Sequence, residues 1–197
     1  MNSLVVGLGN PGPKYELNRH NLGFRLLDAV ALSFRAGPWQ EKFSGLTCRT
    51  RLDTRQVTLL KPMTYMNLSG QSVAPAARDS RVEVADIIVV HDDIDLPFGT
   101  LRVKRGGGTA GHNGLESIKK ELGDPNFLRV RMGIGRPGPD DPLDVGDYVL
   151  NNFSIQEEAS LIEIIAKSIR IVKSIVRSGA VAAMNHFNKR GGETDGS

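Results

Sequence analysis

Three short apolar runs, each followed closely by polar or turn residues, constrain the fold of this chain more than any other feature. They occupy residues 4–8, 57–61 and 86–91, and their length is typical of buried β-strands. Segments with a helical pattern follow at about residues 21–35, from about residue 69, and at about 155–178. Strands that alternate with helices predict an α/β layer fold.

Polar residues follow the ends of these three strands. Asn10 follows the first, Asn67 comes shortly after the second, and Asp92 comes directly after the third. In α/β folds, function gathers beyond the carboxyl ends of parallel strands. If the three strands are parallel, these side chains share one rim of the sheet.

The remaining elements follow from local patterns. Residues 43–51 and 57–61 predict a hairpin, and residues 101–105 and 128–134 alternate as strands do. Asn21 is the predicted N-cap of the first helix, and Ser154 with Glu157 forms a capping-box pattern that opens the long helix. A last short helix carries His186. Residues 1–190 are predicted to form one domain, with 140–152 an irregular, mobile flap and 191–197 a frayed tail.

Composition narrows the class of protein. The single cysteine, Cys48, excludes an internal disulfide framework and a cysteine-based zinc site. No apolar run approaches the roughly 20 residues that span a bilayer, and no signal peptide is recognised, so we expect a cytoplasmic protein without a membrane partner. Residues 102–136 contain eight basic side chains against three acidic ones. This bias suits either a polyanion or ordinary solvated faces.

Two glycine-containing stretches invite nucleotide binding, and both depart from the motifs concerned. Residues 7–12 satisfy G-x-G-x-x-G, but the prolines that follow delay the helix to about residue 21, so its N-terminus cannot meet a pyrophosphate. Residues 106–114 form a glycine-rich loop that leads into a helix but lacks the Gly-Lys-Ser/Thr ending of a P-loop. A phosphate or ester could still bind at that helix N-terminus.

Candidate chemistry centres on His20, one of four histidines. It lies between a loop and a helix start, where it can face a cleft as a general base or simply cap the helix. A nearby helix N-terminus would disfavour its protonated form. Residues 91–95 carry three aspartates, which suit a metal less well than an acid that fixes a histidine tautomer, and we expect no metal and no cofactor.

The nucleophile is expected to be water. No serine sits in a G-x-S-x-G turn, and Cys48 has no local partner. Three loop asparagines, Asn10, Asn67 and Asn113, offer amides that could bind a peptide or stabilise an oxyanion, although each alone is more typical of a turn residue.

Five blocks in this order are highly specific together. Residues 6–12 with Tyr15 and 19–21, then 62–70, 91–97, 106–114 and 129–135 resemble the bacterial-type peptidyl-tRNA hydrolases. The resemblance implies a single domain whose twisted, mixed sheet has a largely parallel core and is surrounded by helices. It also implies a monomeric, metal-independent esterase that releases a peptide from the 3′-terminal ribose of a stalled tRNA.

The resemblance also assigns roles to single positions. His20 matches the general base, Asp92 the acid that orients it, and Asn10 the residue that distinguishes a blocked from a free amino group. Positions that match contacts to the substrate or line its cleft are Tyr15, Tyr65, Met66, Asn67, His112 and Asn113. Basic positions associated with the tRNA acceptor end are Arg102, Lys104 and Arg131.

Two residues depart from the family pattern, and one rival function remains. Arg102 stands where a lysine is familiar, and Ala110 replaces a glycine, which would strain the loop if that position needs a positive φ. The alternative is a non-catalytic, splicing-factor-like RNA-binding protein on the same fold. The complete set of base, acid and asparagines favours the enzyme.

Overall fold

The computed structural model describes residues 2–53, 55–138 and 143–189. Its described strands form one seven-stranded sheet, with the order β2-β3-β4-β1-β5-β7-β6. In chain order these are β1 (Ser3–Gly7), β2 (Gln40–Lys42), β3 (Gly45–Leu52), β4 (Arg55–Pro62), β5 (Ile87–Asp93), β6 (Leu101–Arg105) and β7 (Leu128–Gly133).

Helices cover both faces of the sheet. They are α1 (Leu22–Ser33), α2 (Ser69–Ser80), α3 (Asn113–Leu122), α4 (Val145–Leu150), α5 (Ile155–Ser178) and α6 (Ala180–Phe187). Two 3-10 turns, Arg19–Asn21 and Met66–Leu68, precede α1 and α2 directly. Within the described residues, no helix is long and apolar enough to cross a membrane.

The centre of the sheet is parallel. Strand β1 pairs in parallel with β4 on one side and β5 on the other, and β7 adds in parallel to β5. Strands β2 and β3 on one flank and β6 on the other are antiparallel. The predicted mixed sheet is therefore confirmed. The carboxyl ends of β1, β4 and β5 meet at one rim, as the positions of Asn10, Asn67 and Asp92 required.

Each face of the sheet has its own apolar core, because side chains alternate along a strand. Val5 and Val90 face α1, α5 and α6, whereas Leu4, Val6 and Val89 face α2 and α3. All five are fully buried. Each such side chain stabilises the fold by about 1.5–3 kcal/mol.

Two glycines set the start of α1 against the carboxyl end of β1. A Cβ on Gly7 would lie 2.3 Å from the carbonyl oxygen of Gly23, and one on Gly23 would lie 2.4 Å from the amide nitrogen of Leu8. Any side chain at either position would push the helix off the strand. This close approach, and not nucleotide binding, accounts for Gly7, and it brings the turn before α1 to the rim.

Two local predictions are wrong. Residues 145–150 form helix α4 instead of irregular chain: Asp144 caps it by accepting from the amide of Asp147, and Tyr148 is buried and donates to the carbonyl of Ile134 at 2.8 Å. Six residues around Gly146 are too few for a visible helical period. Residues 140–142 of the predicted flap, and the predicted tail, lie outside the described residues.

Asn21 stands at the N-cap position of α1 but does not cap it. Its side chain instead accepts from the amide of Asn10 at 2.8 Å and donates to the carbonyl of Asn10 at 2.9 Å. The capping box of Ser154 and Glu157 at α5 is confirmed. At the far edge, the side-chain amide of Asn188 pairs with both main-chain groups of Val103 and so covers edge strand β6.

Candidate active site

His20 and Asp92 meet at the rim, although 72 positions separate them in sequence. The Nδ1 atom of His20 lies 2.9 Å from Oδ1 and 3.0 Å from Oδ2 of Asp92. The 3-10 turn before α1 supplies the histidine, and the end of β5 supplies the acid. Both residues are buried, with 9% and 2% of their surface exposed. The pair has the geometry of a base oriented by an acid.

His112 hydrogen-bonds to the same carboxylate. Its Nε2 lies 3.2 Å from Oδ1 of Asp92, and its Nδ1 accepts from the amide of Gly114 at 3.2 Å, as the N-cap of α3. Because a backbone N–H only donates, Nδ1 must be unprotonated and Nε2 must carry the proton. Asp92 therefore accepts N–H groups from two imidazole rings.

These contacts shift the pKa values of the pair in opposite directions. Burial alone lowers the pKa of His20, but the charge of Asp92 and its hydrogen bond outweigh burial and raise that pKa above its ordinary value. Burial alone raises the pKa of Asp92, but His20 and His112 hold it well below its usual range. The sequence-based expectation that a helix N-terminus keeps His20 unprotonated is therefore wrong in direction, because the carboxylate dominates.

His91 lies behind the pair and differs from it in character. Its ring is buried, and its Nδ1 donates to the carbonyl of Asp92 at 2.6 Å. Burial, followed by the nearby His112, lowers the pKa of His91 to about 3. His91 is consequently neutral near pH 7, and its Nε2 is buried without a hydrogen-bond partner among the described residues.

The three aspartates of residues 91–95 do not converge on a metal. Asp93 bonds to Arg131 at 2.7 Å and accepts from the amide of Asp95, whereas Asp95 pairs with Arg136. Among the described residues, the one group of possible metal ligands is His20, Asp92 and His112, whose nearest ligand atoms lie within 4.8 Å of one another. Those same atoms are engaged in the hydrogen bonds described above.

A cavity of about 130 Å³ opens in front of His20 and Asp92. Its second wall is the glycine loop from Thr109 to Asn113, and its third is α4, through Val145, Gly146 and Val149. Apolar and polar groups thus surround the exposed edge of the imidazole. Within the described residues Nε2 of His20 makes no hydrogen bond, so a ligand in the cavity can reach it.

Asn10 has a side chain whose orientation is fixed. Its Oδ1 accepts from the amide of Met66 at 2.8 Å, and Asn21 holds its main chain from both sides. Because Oδ1 faces a donor, Nδ2 must be the outward atom, and it makes no hydrogen bond to any described residue. Asn10 lines a second cavity of about 400 Å³, whose wall includes Phe24 and Met63, and its Nδ2 keeps two N–H donors for a ligand.

Comparison with known proteins decides the family. The family model described as peptidyl-tRNA hydrolase matches residues 4–195 of the chain. The chain belongs to the peptidyl-tRNA hydrolase family. It is 50% identical over 201 residues to the peptidyl-tRNA hydrolase of Sorangium cellulosum, covering 98% of this chain and 90% of that one. It is 46% identical over 187 residues to that of Citrifermentans bemidjiense, with 95% and 98% covered.

Solved structures agree with these sequence relatives. The crystal structure of the peptidyl-tRNA hydrolase of Acinetobacter baumannii matches with a TM-score of 0.87 and 38% identity, over 94% of each chain. The resemblance inferred from the five sequence blocks is confirmed, as are the fold class and the prediction of an enzyme. The non-catalytic RNA-binding alternative is not favoured by these matches.

For this peptidyl-tRNA hydrolase family member, the predicted site residues fall into two groups. His20, Asp92, His112 and Asn113 line the first cavity, whereas Asn10 lines the second and accepts a hydrogen bond from the amide of Met66. The others lie nearer the surface of the rim. Tyr65 and Asn67 are exposed, and Tyr15 is half-buried with the ammonium of Lys14 4.6 Å from its ring centre.

The predicted tRNA contacts form a separate patch on β6 and β7. Arg102 is paired across the strands with Arg131, and Lys104 with Arg129, so all four side chains point to one face. Arg102, Lys104 and Arg131 line a groove of about 470 Å³. The patch is contiguous with the first cavity, because Asp93, which holds Arg131, also lines that cavity.

Sequence reasoning missed the roles of two arginines. Arg129 is buried and donates to the carbonyls of Gly106 and Gly108, which ties down the glycine loop. Within that loop Ala110 has a φ of 52°, so the backbone strain expected from the sequence is present.

The second arginine, Arg19, bonds to the segment after α4 and to Glu157 in α5. Its position next to His20 was the only signal available.

Proposed function

We propose that this chain hydrolyses the ester between a peptide, or another N-blocked aminoacyl group, and the 3′-terminal ribose of tRNA, and so recycles tRNA from stalled translation. One observation carries the proposal: His20 is anchored to Asp92 through Nδ1 while Nε2 reaches the cavity. The names of the relatives support the choice of substrate. Translation takes place in the cytoplasm, where we place the enzyme.

His20 is the general base. Because Asp92 accepts at Nδ1, that nitrogen carries the ring proton and Nε2 has a free lone pair. Nε2 removes a proton from water as the water oxygen attacks the ester carbonyl carbon. The imidazolium that forms is stabilised by the Asp92 carboxylate. It then gives the proton to the ribose oxygen as the carbon–oxygen bond breaks, which leaves a carboxylic acid and a free hydroxyl.

Asn113 is the donor that we assign to the developing oxyanion. It lies in the same cavity as His20, and its side chain makes no hydrogen bond to any described residue. An amide aimed at the tetrahedral intermediate typically contributes about 10²–10³-fold in rate. Asn67 is exposed and outside this cavity, so we assign it, with Tyr15 and Tyr65, to holding the substrate near the rim. His112 also lines this cavity, and we assign Met66, whose amide holds Oδ1 of Asn10, to the substrate cleft.

Asn10 distinguishes a blocked amino group from a free one. Its outward N–H groups can donate to the carbonyl that an N-acyl group or peptide bond supplies. A free aminoacyl ester lacks that carbonyl and carries a cationic ammonium, which the two N–H donors repel. A site built to donate to an absent partner discriminates strongly, because its donors stay unpaired.

The tRNA acceptor end lies over the basic patch. Arg102, Lys104 and Arg131 offer cations for phosphates, and the patch leads into the cavity that holds His20. We propose that the protein acts as a monomer. The mechanism needs no metal or cofactor, since water, base and acid supply the chemistry.

The test compares an N-acetylated aminoacyl-tRNA with the same unblocked aminoacyl-tRNA, both with a chelator present. We expect rapid release from the blocked substrate only, and its loss in His20→Ala with tRNA binding retained. Tight RNA binding without release by the parent chain would instead support the RNA-binding alternative. Release that depends on an added divalent cation would overturn the metal-free mechanism.

A further inference from the structure

Helix α4 forms one wall of the cavity, and the contacts of Arg19 hold this helix in place. The guanidinium of Arg19 is buried and lies 4.4 Å from the ring centre of Tyr148 in α4 and 5.0 Å from that of Phe153 just beyond it. Its NH1 donates to the main-chain carbonyls of Asn151 and Asn152. The side chain of Arg19 therefore contacts each of the three residues that follow α4, Asn151, Asn152 and Phe153.

The same guanidinium reaches the start of α5. Its NH2 lies 2.8 Å from Oε2 of Glu157, and that oxygen also accepts from the amide of Ser154 in the capping box. One carboxylate thus serves both the helix cap and Arg19. The planar guanidinium stacks on two aromatic rings and donates hydrogen bonds along its edge. The ammonium group of lysine cannot reproduce this geometry.

Further hydrogen bonds join residues 18 and 19 to the segment that follows α4. The amide of Arg19 donates to the carbonyl of Asn151 at 3.0 Å, and Nδ2 of Asn18 donates to Oδ1 of Asn152 at 2.8 Å. Asn18 and Asn152 form an antiparallel bridge. His20 is the next residue in the same 3-10 turn, so whatever moves the end of α4 also moves the base.

We propose that Arg19 is a positioning residue that fixes α4 and His20 relative to each other. It keeps the cavity wall closed around the ester while the imidazole stays on Asp92. This inference rests on the proposed hydrolysis of peptidyl-tRNA. The side chain of Arg19 contacts Tyr148 of α4 and Glu157 of α5 and is not among the residues that line the cavity, so it acts only through its neighbours.

The chain provides a matched control one residue further along α5. Glu158 pairs with Arg25 and so links α5 to the first turn of α1, without a hydrogen bond to α4 or to the turn of His20 within the described residues. Glu157→Gln and Glu158→Gln each remove one charge from an adjacent ion pair. They therefore separate general loosening of α5 from loss of the Arg19 contact.

The first experiment uses the variants Arg19→Lys, Glu157→Gln and Glu158→Gln with an N-acetylated aminoacyl-tRNA as substrate. It measures kcat, KM and their pH dependence at a temperature at which circular dichroism shows each variant to be folded. We expect Arg19→Lys to lose at least 10-fold in kcat/KM, and its acidic limb to move down in pH as His20 loosens from Asp92. Glu157→Gln should show a smaller loss in the same direction, and Glu158→Gln should stay within twofold of the parent.

The second experiment is independent of activity. Hydrogen exchange of the amides in residues 145–152 should be at least 10-fold faster in Arg19→Lys than in the parent, and unchanged in Glu158→Gln. Parental exchange and parental kcat/KM in Arg19→Lys would overturn the proposal, as would equal losses in the two glutamine variants. If the parent chain itself lacks activity, the proposed function fails, whereas the exchange result still decides whether Arg19 holds α4.

Discussion

Nδ1 of His20 lies almost equally far from the two carboxylate oxygens of Asp92, at 2.9 and 3.0 Å. The ring N–H is therefore shared by the whole carboxylate, and Oδ1 has a second donor in His112. The two N–H donors outweigh the effect of burial, which by itself raises the pKa of Asp92, and the carboxylate stays ionised. The anion in turn raises the pKa of His20. In the proposed mechanism the acid therefore both orients the base and sets the pH at which it works.

Replacing Asp92 with asparagine should change the pH profile as well as the rate. The base works when neutral, and Asp92 raises its pKa, so the parent's kcat/KM should fall below a midpoint that lies above about 6.5, the ordinary histidine pKa. In Asp92→Asn the acidic limb should shift to lower pH, and kcat should drop about 10²–10⁴-fold. The measurement is kcat/KM from pH 5 to 8. An unshifted limb would remove Asp92 from this role.

Replacing Asn10 with aspartate should reduce the preference for a blocked amino group. The amide of Met66 would continue to donate to Oδ1, while an anionic oxygen replaces the outward N–H donors. We expect the rate on N-acetylated aminoacyl-tRNA to fall about 10–100-fold, which corresponds to losing one hydrogen bond to a buried partner. The rate on the unblocked substrate should hold or rise. Asn67→Asp adds the same charge at the exposed rim and should leave the ratio near its parental value.

Replacing Ala110 with glycine should stabilise the protein. A left-handed conformation costs an alanine roughly 1–2 kcal/mol, and the greater freedom of glycine in the unfolded chain offsets part of the gain. We expect a net increase of about 0.5–1 kcal/mol in the free energy of unfolding, measured by urea denaturation with an unchanged m value. Gly111→Ala is the matched control: its φ is 76° with open space around a Cβ, so it should destabilise by backbone strain alone. Equal stability in both variants would contradict the argument.

Removing the charge of Lys104 should weaken tRNA binding uniformly. Lys104 lies on the exposed face of the basic patch, and losing one phosphate contact should lower the slope of log K against log salt by about 1. Arg131→Ala should cost more, because it also leaves the carboxylate of Asp93 without its partner. The measurement is affinity for deacylated tRNA between 50 and 200 mM salt. Lys42→Ala, on β2 at the opposite edge of the sheet, should change neither affinity nor slope.

The parts of the fold that could be read from the sequence depend on local chemistry. The apolar runs, Gly123 and Gly179 after their helices, and the capping box of Ser154 and Glu157 each specify an element through its own residues. The strand ends also indicated which polar side chains share a rim. Helix α4 was not predicted, because it is stabilised by the buried contacts of Tyr148 and its six residues show no helical pattern of their own.

The sequence by itself determined the family and the α/β class, and it predicted His20 as the base and Asp92 as the acid, since these follow from motifs and their order. Only the tertiary structure decided the direction of the pKa shift of His20 and which atom of the Asn10 amide is free to bind a ligand. It also decided that Arg19 and Arg129 hold other segments of the chain in place. Each of these depends on which groups lie within about 3 Å after folding. Contacts between residues 21 to 138 positions apart leave no trace in local periodicity.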